Sequence, residues 1–136
     1  MNISDSNKKY KSSNTMVYSC QYHVIWTTKY RRKVLDEEIQ IELKKLLLSK
    51  QDDNFQILES EIMPDHVHLL IDVNPYVGIY KVISLLKGYS SKELREKFPK
   101  LKSRLPTLWT RSKFVSTVGS VSLEVVKKYI ENQKNK

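Results

Sequence analysis

A chain of 136 residues has room for one domain around one core, not two. At 40% hydrophobic and 29% charged residues its composition is that of an ordinary globular protein, and no apolar run approaches the roughly 20 residues of a membrane-spanning helix. The net charge of +9 suits a polyanionic partner, and the single cysteine, Cys20, excludes an intrachain disulfide and a cysteine-based metal site.

In chain order, residues 1–15 read as a flexible, polar segment without the apolar stretch of a signal peptide, so a cytoplasmic location is expected. A single domain fills 16–136. Residues 16–28 are rich in β-branched and aromatic side chains and predict a first strand, with Cys20 and Trp26 as buried members. Asp36 is a good helix cap, Glu37 and Glu38 follow in the first turn, and Ile39, Leu43, Leu46 and Leu47 form a helical stripe to about Ser49. Residues 55–63 and 66–73 predict two strands joined by a tight turn at Pro64 and Asp65, hence a hairpin. After Asn74 and Pro75 a long amphipathic helix is expected over 78–97. Residues 108–117 predict a fourth strand, with Phe114 as a core residue. Gly119 interrupts the chain, and Ser120 or Ser122 caps a last helix that carries Tyr129.

The order β-α-β-β-α-β plus one helix predicts an α+β, ferredoxin-like (RRM-like) antiparallel sheet with two helices on one face. The third strand then lies near the middle of the sheet, and the extra helix can cross the open face.

The positive charge is clustered. Lys29, Arg31, Arg32 and Lys33 surround Tyr30, while Lys97, Lys100, Lys102 and Arg104 form a second group, followed by Arg111 and Lys113 near Trp109. Cations interleaved with aromatics suit single-stranded nucleic acid, whose bases stack while its phosphates are neutralised. A solvated basic surface kept for solubility is the plainer alternative. Candidate nucleic-acid contacts are Lys29, Tyr30, Arg31, Arg32, Lys33, Lys87 and Arg111.

His66 and His68 flank Val67 at the start of the third strand, so both imidazoles project from one face, about 7 Å apart. Two imidazoles so held can bind one divalent ion, although such a pair taken alone is more often an exposed cross-strand pair. Tyr129 and Gln133 sit four residues apart and share one helical face, offering a nucleophile and an oxygen ligand. From spacing alone, Val125, Val126, Tyr129 and Gln133 more often form a plain packing stripe. His23 reads as a hydrogen-bonded core histidine. Asp65 is either a turn residue or a carboxylate that orients an imidazole, and Glu59 and Glu61 share a strand face as further carboxylate candidates.

Together the segments YHVIWTTKYRRK at 22–33, MPDHVHLL at 63–70, LKGYSS at 86–91, LW at 108–109 with VSTVG at 115–119, and KYIENQ at 128–133 resemble the small HUH transposases with one catalytic tyrosine, encoded by minimal insertion sequences (TnpA type, IS200-like). His66-Val67-His68 fits the His-hydrophobic-His motif for which that superfamily is named. The resemblance implies that Tyr129 is the nucleophile and that His66, His68 and Gln133 hold Mg²⁺ or Mn²⁺. It implies cleavage and rejoining of single-stranded DNA at hairpin-bearing element ends, through a 5′-phosphotyrosine that leaves a free 3′ hydroxyl. It also implies a homodimer whose tyrosine helix is able to complete the partner's site. The apolar, β-prone residues 115–118 are consistent with a pairing edge. Two other readings compete: a domesticated relative that nicks and joins hairpin-forming repeats, and a non-catalytic RRM-like module, which needs stacking aromatics where His66 and His68 stand.

Overall fold

Helix α1 (Glu37–Ser49) begins where its cap dictates. Asp36 Oδ1 accepts a hydrogen bond from the Ile39 amide at 3.0 Å, and Glu37 and Glu38 occupy the positive end of the helix dipole. In this computed structural model, which describes residues 11–12, 17–118 and 123–134, Ile39, Leu43 and Leu47 are buried and Leu46 is half-buried against them. Helix α2 (Ile79–Lys97) starts after Gly78, whose φ of 83° favours a residue without a β-carbon. It buries Val82, Ile83, Leu86 and Leu94. A short helix not anticipated from the sequence, α3 (Lys100–Arg104), follows Pro99 and buries Leu101. Two cations of the second basic group are spent on α1: Lys97 Nζ lies 2.7 Å from Glu42 and Lys100 Nζ 2.6 Å from Asp36. Such exposed pairs add little stability, but they take charge away from any ligand.

Strands β3 (Gln21–Thr27), β4 (Phe55–Met63), β5 (His66–Val73) and β6 (Phe114–Thr117) form one antiparallel sheet in the order β4-β5-β3-β6. This is the ferredoxin-like order expected from the sequence, with the histidine strand β5 central. Alternation divides its residues. Val67, Leu69, Ile71 and Val73 join Val24 and Trp26 in the main core under α1 and α2. His66, His68, Leu70 and Asp72 therefore face the other way, as do His23 and Ile25 of β3. An irregularity in β4 between Ile57 and Glu59 switches its alternation, so Phe55 and Ile57 face the core before it and Ile62 after it. Glu59, Glu61 and Met63 thus join the histidine face, Glu61 opposite His68. Helix α4 (Leu123–Glu131) packs on this second face against β3 and buries Val126.

The structure also departs from the sequence reading in the first and fourth strands and at Trp109. The first strand of the sheet starts at Gln21, because β2 (Val17–Tyr18) pairs instead with β1 (Lys11–Ser12), and Cys20 is half-buried. The fourth strand is only Phe114–Thr117, since the carbonyls of Thr110, Arg111 and Ser112 turn to the Lys87 amine rather than to a ladder, at 2.7, 3.4 and 3.4 Å. Trp109 is not a free stacking surface. It is buried edge-on against Trp26, ring centroids 5.9 Å apart, and its Nε1 donates to Ser90. The expected interruption at Gly119 and cap at Ser120 or Ser122 lie outside the described residues. Among the described residues no helix is long and apolar enough to cross a membrane.

Candidate active site on the second sheet face

The hairpin turn at Pro64 and Asp65 is gripped by the segment that leaves β3. The Thr28 amide donates to the Asp65 carbonyl at 3.0 Å, the Leu35 amide donates to the Pro64 carbonyl at 3.0 Å, and the Thr28 hydroxyl closes the loop onto the Arg32 carbonyl at 2.6 Å. Inside this loop Tyr30 and Arg31 adopt φ of 57° and 51°. Left-handed backbone at two consecutive residues with side chains costs on the order of 1 kcal/mol or more each, and such costs concentrate at functional sites. Here the bend brings Arg31 back to the turn, its Nε 3.0 Å from Asp65 Oδ2.

Asp65 holds both a cation and an imidazole. Its Oδ1 lies 2.8 Å from His66 Nδ1, and the residue is buried. The carboxylate accepts from Nδ1–H there, which leaves Nε2 as the ring nitrogen turned away from Asp65. Asp65 is therefore a turn residue and an imidazole-orienting carboxylate at once. His68, one step along the face, is buried, with Nε2 3.2 Å from Nδ1 of His23 and ring centroids 5.4 Å apart. His68 Nδ1 is buried without a hydrogen-bond partner among the described residues. Burial, then repulsion from His23 and His66, lowers the His68 pKa from 6.5 to about 3, so this imidazole is neutral at physiological pH. His23 is the hydrogen-bonded histidine expected from the sequence, but its partner is a candidate ligand, which nothing in local sequence signals.

The second element is α4. The Tyr129 ring is half-buried and packs on Phe114 at 5.3 Å, tilted by 49°. Phe114 pairs with Ile25 and Ile25 with His68, so the residue beneath Tyr129 stands about 10 Å, two strand spacings, from the His68 backbone. The Tyr129 hydroxyl is buried with no hydrogen-bond partner among the described residues. Burial raises its pKa above the ordinary 10.0, against a smaller downward pull from Ser112, whose own hydroxyl donates to Gln133 Oε1 at 2.8 Å. Gln133 lies beyond the end of α4, in a turn where its amide donates to the Ile130 carbonyl, so its side chain is not carried on the helix as the spacing suggests. It is nonetheless buried.

Could these groups hold a divalent ion? Among the described residues no three His, Cys, Asp or Glu side chains converge closely enough to do so alone. Two imidazoles are present, one oriented by a carboxylate and one with an orphaned ring nitrogen, and they fit an ion whose remaining ligands are amide, water or substrate oxygens.

The predicted nucleic-acid contacts divide. Tyr30, Arg31, Arg32 and Lys134 line a shallow surface hollow, with Lys29 Nζ 5.0 Å over the Tyr30 ring, and Lys33 and Arg111 are exposed. Lys87 is turned inward onto the 110–112 carbonyls, and burial followed by repulsion from Lys113 lowers its pKa to about 8.

Comparison with known proteins places this arrangement in a family. A family model described as IS200-like transposase matches residues 16–133. The chain is 36% identical over 129 residues to the ISDra2 transposase TnpA of Deinococcus radiodurans, covering 93% of this chain and 92% of that protein. It is 33% identical over 119 residues to the transposase for insertion sequence element IS200 of Salmonella typhimurium, covering 85% and 78%. A crystal structure of a transposase candidate from Deinococcus radiodurans matches it with a TM-score of 0.82 at 37% identity, over 90% of this chain and 97% of that one. A REP-associated tyrosine transposase bound to a REP hairpin shares the fold, with a TM-score of 0.53 at 13% identity over 88% and 69%. The match runs through the sheet, the histidine strand and α4, and this chain belongs to the family of IS200-like transposases.

Proposed function

We propose that this transposase cleaves and rejoins single-stranded DNA at hairpin-bearing ends, with Tyr129 as nucleophile and His66, His68 and Gln133 as ligands of Mg²⁺ or Mn²⁺. The observation that carries this reading is the shared face: the two imidazoles and the Tyr129 helix lie on the same side of the sheet, opposite the main core. Tyr129 Oη attacks the phosphorus of a backbone phosphodiester, forming a phosphotyrosine on the 5′ side as the bond to the 3′ oxygen breaks. The departing 3′ oxygen takes up a proton and becomes a hydroxyl, and its return reverses the step without ATP. A bound divalent ion supplies positive charge that lowers the cost of attack and of the leaving alkoxide. His66 would present Nε2, because Asp65 occupies Nδ1, and Gln133 would turn its carbonyl from Ser112. Lys29, Arg32 and Lys134, around Tyr30, would hold flanking phosphates. The hairpin preference rests on the fold shared with the hairpin-bound relative.

A labelled single strand carrying a hairpin, incubated with the protein and Mg²⁺, should yield an SDS-stable protein–DNA adduct. Absence of an adduct with any strand, in Mg²⁺ or Mn²⁺, would remove tyrosine transesterification from the account.

We further propose a homodimer. Strand β6 is a sheet edge, and Val115 on it is exposed. Light scattering should give a mass near twice 16.0 kDa, and a monomer at micromolar concentration would refute it. Within one chain α4 lies over its own sheet. Mixing Tyr129→Phe with His66→Ala chains therefore tests exchange, with recovered cleavage meaning that sites are shared between chains.

A further inference from the structure

Helix α4 has only nine residues, too few to be stable by itself, so its position depends on what docks it. One of its docking contacts is a single charged side chain from far away in the chain. Arg31 Nη1 donates to the Ile130 carbonyl at 3.2 Å, while Nε of the same guanidinium lies 3.0 Å from Asp65 Oδ2. The other oxygen of Asp65 orients His66 at 2.8 Å. The Ile130 carbonyl belongs to the last turn of the helix, where the dipole is negative, and beside the Gln133 amide it accepts the guanidinium, which is well matched to that end. Arg31 reaches both groups from left-handed backbone, and its side chain is largely buried, at 19% exposure.

We propose that Arg31 is a positioning residue, a latch that sets the tyrosine helix over the sheet and holds the carboxylate partner of His66 with the same planar fork. The orientation of His66 and the seat of Tyr129 are thereby coupled through one side chain. Arg31 stands in the most basic stretch of the sequence, yet its Nε and Nη1 are turned inward to Asp65 and Ile130. Lysine cannot replace it, because one ammonium on a flexible stem does not reproduce two fixed donors. The catalytic consequence rests on the proposed role of Tyr129, whereas the latch itself does not.

Two variants separate the latch from folding. Arg31→Gly removes the guanidinium and also relieves the left-handed backbone, so the global fold is retained. Arg31→Lys keeps the charge for DNA. In both, hydrogen-exchange protection of the α4 amides should fall by about tenfold, the worth of a charged hydrogen bond, while β5 amides keep theirs. In Arg31→Lys the single-turnover adduct rate should fall with the affinity for the hairpin strand unchanged. Unaltered α4 protection in both variants overturns the latch. So does weakened DNA affinity in Arg31→Lys with α4 fully protected, which would make Arg31 a DNA contact. Lost α4 protection in a protein whose wild type forms no adduct would support the latch and discard the nucleophile.

Discussion

Tyr129→Phe is expected to abolish the covalent adduct while leaving fold and DNA affinity intact. The substitution removes one oxygen and nothing else. That oxygen is buried without a hydrogen-bond partner among the described residues, so its loss leaves no donor or acceptor stranded. Stability should therefore change by less than about 1 kcal/mol, in either direction. The ring remains on Phe114, so α4 keeps its seat. Adduct formed at wild-type yield in this variant would mean that another residue attacks. The same burial gives the reaction a pH dependence. With its pKa above 10.0, the phenol is ionised in fewer than about one molecule in a thousand at pH 7. The reactive form is the deprotonated one, so single-turnover adduct formation should rise with pH through the neutral range. A flat profile would contradict a resting phenol that is neutral.

The second large effect is expected at the histidines. His66→Ala and His68→Ala should each eliminate cleavage and weaken Mn²⁺ binding by at least about tenfold in calorimetry. Unchanged Mn²⁺ affinity in both variants would make the pair structural and sink the metal-assisted reading. The two differ in their effect on the fold. His66 is half-buried, and its removal leaves Asp65 still paired with Arg31. His68 is buried against His23, so removing it opens space in a packed face and should cost about 1–3 kcal/mol. His68 also makes stability pH-dependent. Its pKa falls from 6.5 in the unfolded chain to about 3 in the fold, so the unfolded state binds the extra proton. The contribution of the neutral ring is whole above pH 6.5 and is lost as pH falls from there towards 3. Denaturant midpoints should drop on acidification through this window, and the drop should shrink in His68→Gln. An equal drop in both proteins would show that His68 does not titrate with unfolding.

An RRM-like binding face would need its central strands open to bases. Here α4 packs on β3, and Ile25, in the middle of that face, is fully buried. That argues against the non-catalytic module.

By itself the sequence determined features whose cause lies within a few residues, although the five-residue helix α3 escaped it. Strands β4 and β5 have the bounds that alternation predicts, because side-chain period and turn chemistry are local. Helix α1 starts at Asp36 because a cap needs only the amide three residues on. The set of matching segments between 22 and 133, with His66-Val67-His68 and Tyr129 among them, was enough to reach the family. What only the tertiary structure decided depends on partners distant in the chain. The fourth strand is short because Lys87, 23 residues before Thr110, takes the carbonyls that a ladder would have used. His23 meets His68 across 45 residues, Ser112 meets Gln133 across 21, and Arg31 meets Ile130 across 99. Trp109 has the composition of a stacking surface and the position of a core residue, and only the place of Ser90 and Trp26 distinguishes them. Local propensity does not encode such pairs, because each is formed by the closure of the sheet and the docking of α4, and each ties a candidate site residue to a group that its neighbours in sequence never touch.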